Sequence, residues 1–179
     1  MILAIVAVDE NWGIGYKNEL LCHIKEDLKR FKKFTSGNVV VMGRKTWGSL
    51  PTKPLPNRTN IVITNSVEDM QINNGVIYTK LDLFKRAIND IGKKFNVFVI
   101  GGSQIYKELL PYCDYVLLTK IHKSFSDADA YFPNIDALLN WKLIETSNTK
   151  KEEDIEYHFC FYKNKEKENG RRDKNGEEI

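Results

Sequence analysis

The chain has 179 residues, 42% hydrophobic and 28% charged, with a formal net charge of +3. That length supports one well-buried core, and so small a charge gives no argument for a nucleic-acid or membrane-surface partner. Cys22, Cys113 and Cys160 are odd in number, far apart and in no C-x-x-C pair. They fit reduced thiols of a cytoplasmic protein better than a disulfide or metal framework. His23, His122 and His158 show no ligand spacing, so no metal is expected. The apolar run 2–8 has no basic residue before it and ends at Asp9-Glu10, so it predicts neither a leader peptide nor a membrane span.

That run does not alternate, which predicts a strand covered on both faces, as in a parallel sheet. Residues 11–18, with two glycines and two asparagines, predict a loop, and its Trp12 and Ile14 predict that it folds down over something. Residues 24–35 predict a helix ended by Ser36-Gly37, with an apolar stripe of Ile24, Leu28, Phe31 and Phe34. Asp27 lies near the edge of that stripe. A carboxylate among phenylalanines is costly unless satisfied. Solvent or Arg30 at i+3 could satisfy it, and so could a ligand with paired N–H donors; the helix alone leaves these open.

Val39 to Met42 reads as a second buried strand running into Gly43-Arg44-Lys45-Thr46 and a short helix, a geometry in which free backbone N–H groups meet an anion. Residues 51–58 carry three prolines and read as a loop. Strands are predicted at 60–64 and 76–78, and an amphipathic helix at 81–91. Residues 97–100 form another apolar strand, followed by Gly101-Gly102-Ser103-Gln104 and a helix over 105–110 closed by Pro111. Paired glycines allow close backbone approach to a ligand, and ligands of open α/β sheets sit beyond the carboxyl ends of the strands. A strand at 115–121, a loop at 124–134 and two strands at 141–146 and 155–162, paired as an antiparallel hairpin, complete the domain. Residues 164–179 hold mixed charges and no apolar residue before Ile179, and read as a charged tail, disordered or lying in solvent.

Taken in order, these pieces resemble the dihydrofolate reductase family over residues 1–163. The matching motifs are Ala7-Val8-Asp9 with Gly13-Ile14-Gly15; Glu26-Asp27-Leu28 with Phe31; Val41-Met42-Gly43-Arg44-Lys45-Thr46-Trp47; Pro54-Leu55-Pro56-Asn57-Arg58; Val99-Ile100-Gly101-Gly102 with Tyr106; and Leu118-Thr119 with Tyr131-Phe132-Pro133. The resemblance implies a single α/β domain: a central, mostly parallel eight-stranded sheet with an antiparallel C-terminal hairpin and about four flanking helices. It also implies NADPH-dependent reduction of 7,8-dihydrofolate to tetrahydrofolate, by hydride transfer to pterin C6 with protonation at N5.

By the same resemblance, Asp27, Thr119 and Leu20 are the catalytic residues. Leu3, Ala4, Ile5, Asp27, Leu28, Phe31, Leu50, Leu55, Arg58, Ile100, Tyr106 and Thr119 form the substrate site. Within it Asp27 receives the pterin 2-amino group and N3, Thr119 supports that carboxylate, and Arg58 holds the glutamate α-carboxylate. NADPH falls to Ala4, Ile14, Gly15, Asn18, Leu20, Gly43, Arg44, Lys45, Thr46, Thr64, Asn65, Ile100, Gly101, Gly102, Ser103, Gln104, Ile105 and Tyr106. Arg44, Lys45, Thr64 and Asn65 are the candidates for the 2′-phosphate. Partners are then dihydrofolate and antifolate inhibitors, with no nucleic acid and no membrane, and the chain is expected to be a cytoplasmic monomer. Three positions depart from the family pattern. Leu21-Cys22 stands where proline and an aromatic are usual. Lys25 replaces a proline of the first helical turn, so more fraying is expected there. Gln104 stands where some relatives have a basic residue. A pyrimidine reductase of riboflavin synthesis and a non-catalytic NADP-binding protein are the rival readings; Asp27 with Thr119 and Arg58 argues against the first, and Asp27 with both glycine junctions intact argues against the second.

Overall fold

The opening apolar run forms β1 (Ile2–Val8), buried along nearly its whole length. The computed structural model describes residues 1–67 and 70–169. Where a loop was expected, two short strands appear, β2 (Gly13–Tyr16) and β3 (Glu19–Leu20). They lead into α1 (Lys25–Thr35), β4 (Val39–Gly43), α2 (Arg44–Ser49) and β5 (Thr59–Ile63). A hairpin of β6 (Gln71–Asn73) and β7 (Val76–Thr79) follows, then α3 (Leu81–Lys94) and β8 (Val97–Val99). α4 (Ser103–Leu109) runs into a 3-10 turn at Leu110–Tyr112, then come β9 (Tyr115–Ile121) and β10 (Ala130–Tyr131). The chain closes with β11 (Trp141–Thr146), β12 (Lys150–Glu152), β13 (Ile155–Asn164) and a short α5 (Glu166–Asn169).

Among the described residues the main sheet has ten strands, in the order β11-β13-β9-β1-β8-β4-β5-β7-β6 with β12 paired to β13 alone. From β9 to β7 every neighbouring pair is parallel. β13 turns antiparallel against β9 and β11, as the C-terminal hairpin expectation requires. The sheet exceeds the expected eight strands by β6 and β12. Each is only three residues long, with Ile72 the single apolar residue of β6 and none in β12, so neither carries an apolar period to read. A second, three-stranded sheet, β10-β2-β3, replaces the expected loops at 11–18 and 124–134. Its strands are two to four residues long, below what alternation can signal.

Alternation along β1 sends side chains to two cores. Leu3 and Ile5 pack with Val40, Met42, Val62 and Phe98. Ala4, Val6 and Val8 pack with Phe84 and Ile88 of α3 and Ile105, Tyr106 and Leu109 of α4. The α1 stripe is only partly covered. Ile24 is buried, but Leu28 and Phe34 stay exposed and Thr35 is the one buried residue within the helix. β13 runs on through Asn164, which is buried and donates its Nδ2 to the Cys113 carbonyl at 3.2 Å. The packed domain therefore includes the first residue of the segment read as a tail. The expectation for 170–179 lies outside the described residues. No helix among them is long and apolar enough to cross a membrane.

Candidate active site

β1 and β8 run together only from Ile2↔Val97 to Ala4↔Val99. Beyond that point β1 follows β9 as far as Val8↔Lys120. The end of β8 stays with β4, through Ile100 N–H to the Val41 carbonyl at 2.9 Å and Gly43 N–H to the Gly101 carbonyl at 2.8 Å. The two central strands thus part at Ile5 and Ile100, opening a crevice at their carboxyl ends, where ligands of such sheets bind. Phe31, Leu50, Leu55 and Ile100 are all half-buried against the Leu3–Ile5 side of the core, an apolar wall not fully closed from solvent. Tyr106 reaches across the parting strands. Its hydroxyl donates to the Ile5 carbonyl at 2.7 Å, so that oxygen is committed to holding the crevice in shape.

Asp27 sits in the first turn of α1 beside this crevice. Thr119, fully buried on β9, donates its hydroxyl to Asp27 Oδ1 at 2.5 Å. Burial pushes the Asp27 carboxyl above its ordinary value; the Thr119 bond and the positive charge of Arg30 pull the other way. Arg30 stacks instead on the Phe159 ring, 4.5 Å from its centroid, and more distantly on Phe34. Its Nη1 is buried without a hydrogen-bond partner. Of the possibilities left open for Asp27, the i+3 cation acts through space while a threonine 92 residues away makes the bond. One carboxylate oxygen remains with acceptor capacity, as paired N–H donors on a flat ring require.

Arg58 lies over the Phe31 ring, 5.8 Å from its centroid. Its Nε donates to Thr35 Oγ1 at 2.8 Å and its Nη1 to the Pro56 carbonyl at 2.7 Å. Thr35 in turn donates to the Phe31 carbonyl at 2.7 Å. The guanidinium is therefore aimed from its inner edge, with Nη2 left to meet an anion.

The two strand–glycine–helix junctions lie side by side. The N-caps of α2 and α4 are Gly43 and Gly102; neither offers a side-chain cap, and neither helix has an acid in its first turn. Gly101 and Gly102 are joined by a cis peptide bond. A Cβ on Gly102 would stand 3.2 Å from Thr46 Oγ1, and one on Gly101, at φ +109°, would meet the Tyr106 ring at 2.9 Å. Space in this cradle exists only because side chains are missing from it, which fits a diphosphate lying on backbone N–H groups. Next to it, a cavity of about 230 Å³ is lined by Arg44, Thr64, Ser66, Val67, Gln71, Asn73 and Tyr78.

The small sheet hangs beside the crevice from Asp9. That fully buried carboxylate accepts from Asn11 N–H and Gly13 N–H through Oδ1 and from Phe125 N–H through Oδ2, at 2.7–3.0 Å. Asp129 accepts from Lys17 N–H at 3.0 Å and donates its own N–H to the Gly15 carbonyl at 3.0 Å.

The dihydrofolate reductase family model matches residues 1–166. The chain is 41% identical to the dihydrofolate reductase of Bacillus subtilis over 92% of its own length and 95% of the relative's. It is 36% identical to that of Buchnera aphidicola from Acyrthosiphon pisum, over 89% and 96%. Its fold superposes with a TM-score of 0.77, at 32% identity over 92% of this chain and 96% of the other, on dihydrofolate reductase from Enterococcus faecalis complexed with NADP(H) and RAB-propyl.

The chain belongs to the dihydrofolate reductase family. As a family member it is an NADPH-dependent oxidoreductase that reduces dihydrofolate to tetrahydrofolate. Of the residues expected at the reductase site, Leu3, Ile5, Phe31, Leu50, Leu55 and Ile100 pack against one core, and Asp27 and Thr119 are bonded. Ala4, Ile14, Ile105 and Tyr106 belong to the opposite core. Arg44 and Thr64 share a cavity with each other but not with Lys45 or Asn65, both exposed. Leu28 is exposed, as are Asn18 and Gln104. Leu20, 52% exposed, lines a second cavity of about 370 Å³ with Tyr16, Glu19, Leu21 and residues 123–127.

The sequence reading missed Thr35, Ser66, Gln71 and Tyr78, and saw Arg30 as a cation for Asp27 but not its stacking on Phe159. Thr35 gives no signal, because it looks like any helix terminus. Gln71 and Tyr78 had one: Asn74-Gly75, both at positive φ, is the two-residue turn of a β-hairpin, which brings Gln71 opposite Tyr78.

Proposed function

We propose that Asp27 is the anchor and orienting group of dihydrofolate reduction in this chain, that Arg58 receives the substrate's glutamate carboxylate, and that the two glycine junctions carry the cofactor's phosphates. The observation that supports this most directly is Asp27 itself: a largely buried carboxylate, bonded once by Thr119, facing a half-closed apolar crevice. The bond to Thr119 fixes Oδ1, so the plane of the carboxylate is set for the pterin 2-amino group and N3 to donate to it side by side. Phe31, Leu28 and Leu50 then flank the ring and its benzoyl tail, and the Arg58 fork meets a carboxylate on the far side of Phe31.

NADPH, when bound, supplies the hydride that goes to pterin C6. The chain's own task is to position and to govern the proton. No histidine or lysine lines the crevice among the residues named above, and Asp27 is the ionisable group beside the ring. Asp27 therefore fixes the ring while a water brings the proton to N5. Arg44 and Thr64, with Ser66 and Gln71 beside them, provide the charge and hydroxyls for a 2′-phosphate, which favours NADPH over NADH. Cys22, Cys113 and Cys160 are free thiols, in keeping with a reducing cytoplasm, and we take the protein to act there as a monomer. We take its catalytic domain to run from residue 1 through Asn164, the end of β13.

Following loss of reduced-nicotinamide absorbance with dihydrofolate tests the reading. Turnover with NADPH, a higher KM with NADH and a shift toward NADH in Arg44→Ala are expected. Equal use of both cofactors would remove the assignment of the Arg44 cavity. Turnover of a pyrimidine ribosyl substrate in place of dihydrofolate would overturn the substrate half.

A further inference from the structure

The first turn of α1 is held by a hairpin more than a hundred residues away. Ile24, at the N-cap, gives no side-chain cap. The Glu152 carboxylate does so from β12: the Lys25 N–H donates to Oε1 at 3.0 Å and to Oε2 at 3.1 Å. Lys150, two residues earlier on β12, pairs with Glu26 Oε1 at 2.5 Å. Tyr157, across the turn on β13, donates its hydroxyl to Glu26 Oε2 at 2.8 Å. Both Glu26 oxygens are therefore bound, and both belong to the residue directly before Asp27. Tyr157 is 1% exposed, so the grip is rooted in the core.

We propose that the β12–β13 hairpin is a positioning element for Asp27, with Glu152 capping the first amide of α1 and Lys150 and Tyr157 gripping Glu26. Lys25 makes the device necessary. A proline there would have no N–H to cap and would preset the helical φ. Lysine exposes an N–H at the positive end of the helix, and the chain meets it with a carboxylate, where it gains both a hydrogen bond and a favourable charge. The fraying expected from Lys25 is thereby suppressed. Ile24 sits at φ −102° and ψ 113°, close to the conformation a following proline demands, so the site accepts proline without rebuilding.

This rests on Asp27 being the substrate anchor, and its test separates the two claims. Glu152→Ala, Lys25→Pro and the double variant are compared for kcat, KM and amide exchange of Asp27 and Leu28. Glu152→Ala is expected to lower kcat/KM for dihydrofolate about fivefold, the typical effect of losing one helix cap, mainly through KM, with KM for NADPH unchanged. It should also speed exchange at both amides. Glu152→Gln, which keeps a neutral acceptor, should recover part of the loss. Lys25→Pro should stay near the parent, and Glu152→Ala should add nothing in that background. An equal loss in both backgrounds, or unchanged exchange in Glu152→Ala, would overturn the proposal. If Lys25→Pro does not fold, a Glu26→Gln and Lys150→Met cycle replaces it: additive losses would overturn the proposal and non-additive ones support it. The exchange arm needs no turnover. Faster exchange with no loss of dihydrofolate turnover would leave the cap standing but overturn its role in positioning Asp27, while the anchor itself is tested separately by the turnover of Asp27→Asn.

Discussion

Asp27 is an unfinished hydrogen-bond set. A buried carboxylate with a single hydroxyl donor is poorly satisfied, and its raised pKa follows from that burial. The groups facing it are Arg30 on α1, Thr119 on β9, Tyr106 on α4, Tyr157 on β13 and Cys22 before the helix. Arg30 and Thr119 favour the carboxylate; the others are neutral at physiological pH, with Tyr106, Tyr157 and Cys22 all pushed up. Removing either helper raises the Asp27 pKa further. Arg30→Met and Thr119→Val should each move the acid limb of the kcat/KM–pH profile to higher pH, because ring binding is lost as Asp27 protonates. An unmoved limb in both would mean that another group sets it. Thr35→Val should leave Arg58 without its Nε partner, raising KM for dihydrofolate about threefold to tenfold with kcat nearly unchanged. A pterin substrate without the glutamate tail should show no such loss. Asp27 was legible because an acid interrupts an apolar stripe. Thr119 was reached only through the family resemblance and Thr35 not at all, because nothing local signals a partner 92 or 23 residues away.

At the scale of elements, the site depends on helices that begin without side chains. α2 and α4 start at Gly43 and Gly102, and the space between them is the width of a missing methyl. Gly102→Ala puts a carbon 3.2 Å from Thr46 Oγ1, tighter than ordinary contact. It should raise KM for NADPH while leaving KM for dihydrofolate near the parent value, measured by varying each at saturation of the other. Equal rises in both would place Gly102 in general folding and not in the cofactor cradle. The strand–glycine–helix junctions were readable because an all-apolar strand followed by glycine has few other uses. β2, β3 and β10 were not, since strands this short carry no alternation. Their order comes from Asp9 and Asp129, which meet backbone N–H groups at the right places. β12 was equally silent: Lys150-Lys151-Glu152 reads as solvated charge until β13 places it over α1.

For the whole molecule, the same burial that makes Asp27 useful weakens the fold. Its folded pKa lies above the ordinary 3.8, so the native state disfavours the charged form. That cost is absent at pH values below the unfolded pKa and grows as pH rises through the folded one. Asp27→Asn should therefore melt at a higher temperature than the parent at pH 7, with the gap closing in acid; a lower melting temperature at pH 7 would contradict this. The parallel centre of the sheet was legible because strands buried on both faces must be apolar throughout. The edges were not, since an edge strand is chosen by its neighbours more than by its own residues. The most direct test of the account is steady-state turnover of Asp27→Asn with NADPH and dihydrofolate at neutral pH. A fall in kcat/KM of about a hundredfold or more is expected from losing a buried charge-assisted pair, with NADPH affinity unchanged. A near-normal rate would mean that Asp27 does not hold the ring, and that the substrate site must be sought elsewhere along the crevice.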